Sequence, residues 1–203
     1  DVYKRQFPDT VDFGGSALHA KTYDPEGAKE VLEAAGWKDS DGDGIREKDG
    51  QKLTIKWLTY PTRQELPLLA EAAQASLKEI GIEVDINNTL DVNEVVQDAS
   101  AWDVYAMANV QAPTGDPEYW FRVFALSDSA KNQGKYSNAQ LDALDEQLSQ
   151  EFDTAKRADL AVQMQQILLD DNAFVFCSFL KMSMISRSNV SNYTSHACDY
   201  YQI

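Results

Sequence analysis

Between residues 24 and 87 the apolar residues change their spacing three times, and that alternation restricts the chain to helices crossing over a sheet. Ala28, Val31, Leu32 and Ala35 fall at the three-and-four spacing of one helix face, with Asp24 placed to cap it, Pro25 at its first position and Gly36 ending it. A short apolar run, KLTIKWLTY, then reads as a strand. Leu66, Leu69, Ala70, Ala73, Leu77 and Ile80 restore the helical spacing up to Gly81, which stands where a left-handed cap is expected, and IEVDI reads as the next strand. Strands separated by helical crossovers of this length pair in parallel, so the expected class is α/β.

The same reading continues along the chain. Strands are expected over 53–60, 82–87 and 103–109, with helices over 64–80 and near 92–99 between them. Further helices are expected to begin near Asp116, at Ser137 and near Asp153. Ser137 with Gln140 fits a capping box, and Leu160, Met164, Ile167 and Leu168 line one face of the last of these helices. The apolar run 173–179 is expected to be a buried strand, followed by 182–186; residues 127–134 read as a loop and 188–203 as an irregular tail. Asp39, Asp41, Asp43 and Gly44 follow the opening of a calcium-binding EF-hand loop, but the twelfth position is Gly50 and Ile45 comes one place early, so a tight acidic turn is the better reading.

Composition removes several function classes. A balance of 18 basic against 33 acidic residues gives a net charge of −15, which repels nucleic acid and anionic lipid surfaces. No run of 18 apolar residues suggests a membrane span, and DVYKRQFPDT has neither an initiator Met nor the apolar core of a signal peptide. Cys177 and Cys198 are too few for a disulfide scaffold and match no zinc spacing; Cys177, in AFVFCSF, is expected to be a core thiol, with a bond to Cys198 as the alternative. The chain has no G-x-S-x-G elbow, no P-loop, no G-x-G-x-x-G and no HExxH, and only two histidines, so it is expected not to be an enzyme and to require no cofactor.

Five stretches together resemble one family. They are YDPEGAKEVLEAAGW (23–37), the acidic turn with the residues after it (39–50), LKEIGIEV (77–84), Asp116-Pro117 and YSNAQLDAL (136–144). In this order they are similar to the oligopeptide, dipeptide and nickel group of extracytoplasmic solute-binding proteins, family 5, which deliver solutes to ABC importers. The resemblance implies one lobe of a periplasmic-binding-protein-like fold, a three-layer helix and sheet arrangement with mostly parallel strands plus a C-terminal return segment. It also implies a monomer outside the cytoplasm, in a periplasm or at a cell surface, free or lipid-anchored. Its partners would be a small-molecule ligand and an ABC permease. Because family members are much longer, the chain is expected to be a C-terminal portion. Residues 1–21 would be a crossover segment whose first six residues, unlike the family, are a cloning scar or follow a missing upstream part; 22–187 would be the lobe, and 188–203 the return toward the other lobe.

Ligands of open α/β sheets bind beyond the carboxyl ends of the strands. That rule selects the segment NVQAPTGDPE, with Asn109, Gln111 and Thr114 as candidate ligand contacts and Asp116 and Pro117 starting a helix. A second rim is YPTRQE, where Tyr60 offers an amphipathic ring and Arg63 a fork that matches a carboxylate. Peptide-binding members of the family carry an Asp for the peptide amine where Pro113 stands, and nickel-binding members have aromatic residues where Gln111 and Gly115 stand. RQELPLLAE and the ending THACDYYQI nevertheless resemble members labelled as nickel or metallophore binders, although Ala197 stands where their ending often has a proline. The resemblance therefore leans to a nickel chelate as the transported ligand, with an oligopeptide or dipeptide as the alternative. His19 reads as a solvated side chain. His196, close to Asp199, Tyr200 and Tyr201, is the candidate that would complete the coordination of a metal already held by a small chelator.

Overall fold

A computed structural model describes residues 6–14, 18–180 and 185–191. The chain divides into two compact units, one formed by residues 22–109 and the other by residues 1–21 with 110–203. No described helix is long and apolar enough to cross a membrane.

The unit 22–109 opens with helix α1 (Pro25–Ala34), in which Asp24 accepts from the Gly27 amide at 2.9 Å and Pro25 occupies the first turn, as the sequence predicts. Its apolar stripe differs from expectation: Ala28 and Leu32 are half-buried, but Val31 and Ala35 are exposed. A hairpin follows, β1 (Glu47–Lys48) with β2 (Gln51–Lys52), turned by Asp49 and Gly50, both at positive φ.

Strand β3 (Thr54–Thr59) is the centre of a three-stranded parallel sheet, flanked by β4 (Glu83–Asn88) and β5 (Val104–Tyr105). Ile55 stands beside Val84 and Trp57 beside Ile86. Because side chains alternate along a strand, Leu58 points away from that set, and it packs with Val92 and Val96 of the short helix α3 (Val92–Val95) and its cap. Helix α2 (Glu65–Lys78) lies against β4, where Gln74 Nε2 donates to the Val84 carbonyl at 2.7 Å. Leu66 and Ala70 are buried on α2, and Leu69, Ala73, Leu77 and Ile80 are half-buried. Helix α3 is one turn rather than the span 92–99, and β5 is two residues rather than 103–109, since its pairing to β3 stops at Tyr105.

In the other unit, helix α4 (Glu118–Trp120) runs into a π-helical turn (Phe121–Ala125), and helices α5 (Ala139–Leu148) and α6 (Thr154–Asp170) pack on each other. Asp153 caps α6 through the Ala155 and Lys156 amides. Asn138, not Ser137, caps α5, accepting from Gln140 and Leu141, while the Ser137 hydroxyl is shared with Ser127 at 2.9 Å. The loop 127–134 turns around buried Asn132, whose side chain bonds the Leu126 and Tyr136 backbone.

Met164 and Leu168 are buried on α6 as expected, together with Ala161 and Gln165. Gln165 is wholly buried: it accepts from the Phe7 amide at 3.3 Å and donates to the Phe13 carbonyl at 2.9 Å, fixing the N-terminal segment on α6. Phe7 and Phe13 meet edge to face at 4.8 Å, and Phe121 completes the cluster. The segment 173–180 is not a strand. It forms no ladder with a described residue, and instead Phe174 and Phe176 lay their rings against Trp120 while Val175 is exposed. Cys177 is accordingly half-buried on an extended segment; Cys198 lies outside the described residues, as does most of the expected strand 182–186.

Candidate functional site

The candidate contacts divide between the two units. In the first, Tyr60 follows the last residue of β3, and its hydroxyl accepts from the Ala108 amide at 3.3 Å, tying the strand end to the segment after β5. Tyr60 also packs against the Leu58, Val92 and Val96 cluster. Tyr105 lies near enough that burial, with Tyr60 beside it, pushes its hydroxyl pKa up. Arg63 is exposed just before α2, and its guanidinium makes no hydrogen bond or ion pair to a described residue. Asn109 is exposed, with its amide against the Met107 sulfur.

In the second unit, Gln111 is half-buried and Thr114 exposed, and neither side chain bonds a described residue. Their loop turns where the Gly115 amide donates to the Ala112 carbonyl at 3.0 Å, at a φ of +77 that glycine adopts freely. The helix starts at Glu118, with buried Pro117 rather than Asp116 at the cap position; the Asp116 carboxylate, one residue earlier, accepts from the Glu118 amide at 2.9 Å. Among residues 109–117 Asp116 is the one acid, and Arg157 grips it by both carboxylate oxygens, at 3.0 and 2.8 Å.

That grip is part of a larger arrangement that the sequence does not announce. Arg157 stands in the first turn of α6, and all five of its N–H donors are used. Two go to Asp116, one to Glu118 at 2.9 Å, one to the Leu148 carbonyl and one to the Glu151 carbonyl at 2.8 Å. Those carboxylates hold the guanidinium pKa above its ordinary value, with Asp116 the largest cause. Glu118 also pairs with Arg122 at 2.9 Å, and Arg122 reaches Asp145 at 3.1 Å. Burial pushes the Asp145 carboxyl up against the opposing pull of Arg122. No local sequence signal links Arg157 to an acid 41 residues earlier.

His196 lies outside the described residues, so its candidate role stays an expectation. His19 is exposed, and its backbone is bracketed by Gln166, which accepts from its amide at 2.9 Å and donates to its carbonyl at 3.1 Å. Asp39, Asp41 and Asp43 bring carboxylate oxygens within 4.8 Å of one another. They serve the turn: Asp39 accepts from the Gly42 and Gly44 amides, Asp41 from Asp43, and Asp43 from Ile45 while pairing with Lys52. That pairing, led by the Lys52 hydrogen bond, holds the Asp43 carboxyl below its usual range. An open depression of about 500 Å³ lies elsewhere in this unit, beside Lys29, Arg46 and Gly81, and none of the candidate contacts lines it. It surrounds a structural tie, in which buried Arg46 donates to the Ile80 carbonyl at 2.8 Å, the Trp37 carbonyl at 3.0 Å and Glu33 at 3.2 Å.

Comparison with known proteins assigns this architecture. The nickel-binding protein NikA of Staphylococcus aureus is 31% identical over 150 residues, covering 72% of this chain and 30% of that protein. The oligopeptide-binding protein AppA of Bacillus subtilis is 29% identical over 178 residues, covering 86% of this chain and 32% of that one. Among solved structures, NikA of S. aureus in complex with Ni(L-His)2 superposes with a TM-score of 0.73 at 26% identity, over 84% of this chain and 34% of that chain. The chain thus spans about a third of the length of each of these relatives. Residues 3–132 match the family described as bacterial extracellular solute-binding proteins, family 5 Middle, and with its periplasmic-binding-protein-like α/β fold the chain belongs to that family.

Proposed function

We propose that this chain is part of the solute-binding component of an ABC importer, working outside the cytoplasm, and that its ligand is a nickel chelate delivered to a membrane permease. In this reading Tyr60, Arg63, Asn109, Gln111 and Thr114 contact the ligand, and His196 completes the metal's coordination. The whole protein closes two lobes over the ligand by a hinge and does no covalent chemistry.

One observation favours a chelate over a peptide. A peptide's α-amine needs a carboxylate to replace its water, and the one carboxylate of residues 109–117, that of Asp116, is occupied by Arg157 on both oxygens. Arg63, by contrast, has a fork with no described partner, which suits the carboxylate of a small metal chelator such as histidine. The likeness to a protein solved with Ni(L-His)2 agrees with that chemistry.

The second reading is an oligopeptide or dipeptide ligand, favoured by the match to AppA over 86% of the chain. Calorimetric titration of the full polypeptide with nickel plus free histidine, with nickel alone and with a pool of di- and tripeptides separates the two. Heat of binding only when metal and histidine are both present is the expected result. Binding of peptides without metal would replace the chelate reading with the peptide one.

A further inference from the structure

We infer that Arg157 is the positioning residue of the ligand-facing loop 110–116: its bidentate hold on Asp116 fixes the loop that carries Gln111 and Thr114 before any ligand arrives. The inference rests on the proposed role of those two residues in binding. It names a residue that touches no ligand itself.

The geometry gives the reason. The loop carries a tie of its own, the Gly115 amide donating to the Ala112 carbonyl at 3.0 Å. Its exit, however, is held from three directions through one guanidinium. Arg157 reaches the α5 C-terminus at Leu148, the α5–α6 connection at Glu151, and the loop exit at Asp116 and Glu118. The side chain is 15% exposed, so water competes little for these bonds. Arg157 itself stands on a helix of 17 residues whose buried face includes Ala161, Met164 and Leu168. The loop is thereby referenced to the longest described helix of its unit.

Lysine cannot reproduce the hold. An ammonium has three donors at one point, whereas Asp116, Glu118 and two carbonyls surround a planar fork. A loop released at Asp116 must be ordered by the ligand at the moment of binding, and that ordering subtracts from affinity. The loss appears in affinity even where the fold survives.

The test uses the full polypeptide with Arg157→Lys, Asp116→Asn and the pair combined. Ligand affinity is measured with nickel plus histidine and with the peptide pool, alongside hydrogen exchange of the backbone amides over 110–120 and over 158–168. Arg157→Lys is expected to speed exchange at Gly115 and Glu118 about tenfold, leave 158–168 within twofold, and weaken binding of whichever ligand binds about tenfold. Asp116→Asn should do the same, and the double variant should lose no more than either single one, because both remove one hold. Unchanged exchange at 110–120 would overturn the inference, as would equal acceleration over 158–168, which would mark Arg157 as general support for its unit. Faster loop exchange with unchanged affinity would also overturn it. If the unaltered protein binds none of these ligands, the proposed function falls and the loop's role in binding falls with it; the exchange pattern then still decides whether Arg157 fixes the loop.

Discussion

Each unit of this chain is tied by one nearly buried arginine that bonds two backbone carbonyls, and the two differ in the carboxylates they add. Arg46, in the unit 22–109, donates to the carbonyls of Trp37 and Ile80, residues that follow the C-terminal ends of α1 and α2, where the helix dipole is negative and a cation is welcome. Its one carboxylate, Glu33, is 58% exposed. Arg157 sits in the first turn of α6, at the positive end of a helix, and is held there by Asp116 and Glu118. The first arginine therefore closes off helix ends and depends on backbone geometry. The second also bonds two backbone carbonyls, at Leu148 and Glu151, but adds the charge of two carboxylates, and through them it ties a loop to the α5–α6 pair.

The Arg46 tie is most sensitive at Gly81. Its φ is +86, and a Cβ there would lie 2.7 Å from Arg46 Cγ, so Gly81→Ala combines left-handed strain with displacement of the arginine. A loss of about 3 kcal/mol is expected, measured as the shift in the denaturant midpoint of the unit 22–109. Arg157→Met should come next, at about 2 kcal/mol, because it leaves Asp116 without its cation and Glu118 with Arg122 alone, while both acids remain partly exposed to water. A thermal melt that drops further for Arg157→Met than for Gly81→Ala would reverse the ordering.

Two smaller effects sharpen the contrast. Thr59 is fully buried in β3, and its hydroxyl has no partner among the described residues, so Thr59→Val should raise stability by about 1 kcal/mol, read from the same melts. In the other unit, Asp171 accepts from Tyr136 at 2.6 Å and Asn138 at 2.8 Å, which holds its carboxyl below the ordinary value of 3.8, Tyr136 being the larger cause. A lowered carboxyl contributes stability that is present above its unfolded pKa and is lost as pH falls through the folded one. The wild type should therefore lose this contribution below about pH 4, and Tyr136→Phe should lessen that part of the acid dependence. A melt series from pH 6 to pH 2 with equal slopes for both proteins would contradict it.

How far the sequence can be read follows the same division. Local rules succeeded where the cause is local: Asp24 with Pro25, Gly81 and Asp153 all sit where capping chemistry put them, and the order α1, β3, α2, β4 follows from apolar spacing, although the β1–β2 hairpin between α1 and β3 does not. They failed where a neighbour distant in sequence decides. Ser137 and Asn138 are both good caps, and Asn138 takes the position while the Ser137 hydroxyl faces Ser127. Residues 173–180 have strand composition but no described ladder partner, and a strand exists only as half of a pair. Val31 and Ala35 keep helical spacing on a face nothing in the described chain covers. The candidate contacts Tyr60, Arg63, Asn109, Gln111 and Thr114 were reached through strand ends and a family likeness; Arg157 and Arg46 carry no signal short of the folded contacts themselves.

The buried amide of Gln165 sets a schedule for the chain as it is made. Phe7 and Phe13 are held by a residue more than 150 positions later, and His19 by Gln166 in the same way. At ordinary rates of synthesis the early segment waits roughly 8 to 30 seconds before its anchor has been made. For that interval its aromatic side chains are without the packing they have in the finished protein, while the unit 22–109, whose sheet is complete at residue 105, has its own pairing partners in hand. Residues 7–19 are thus made well before 22–109 is complete, yet settle after it.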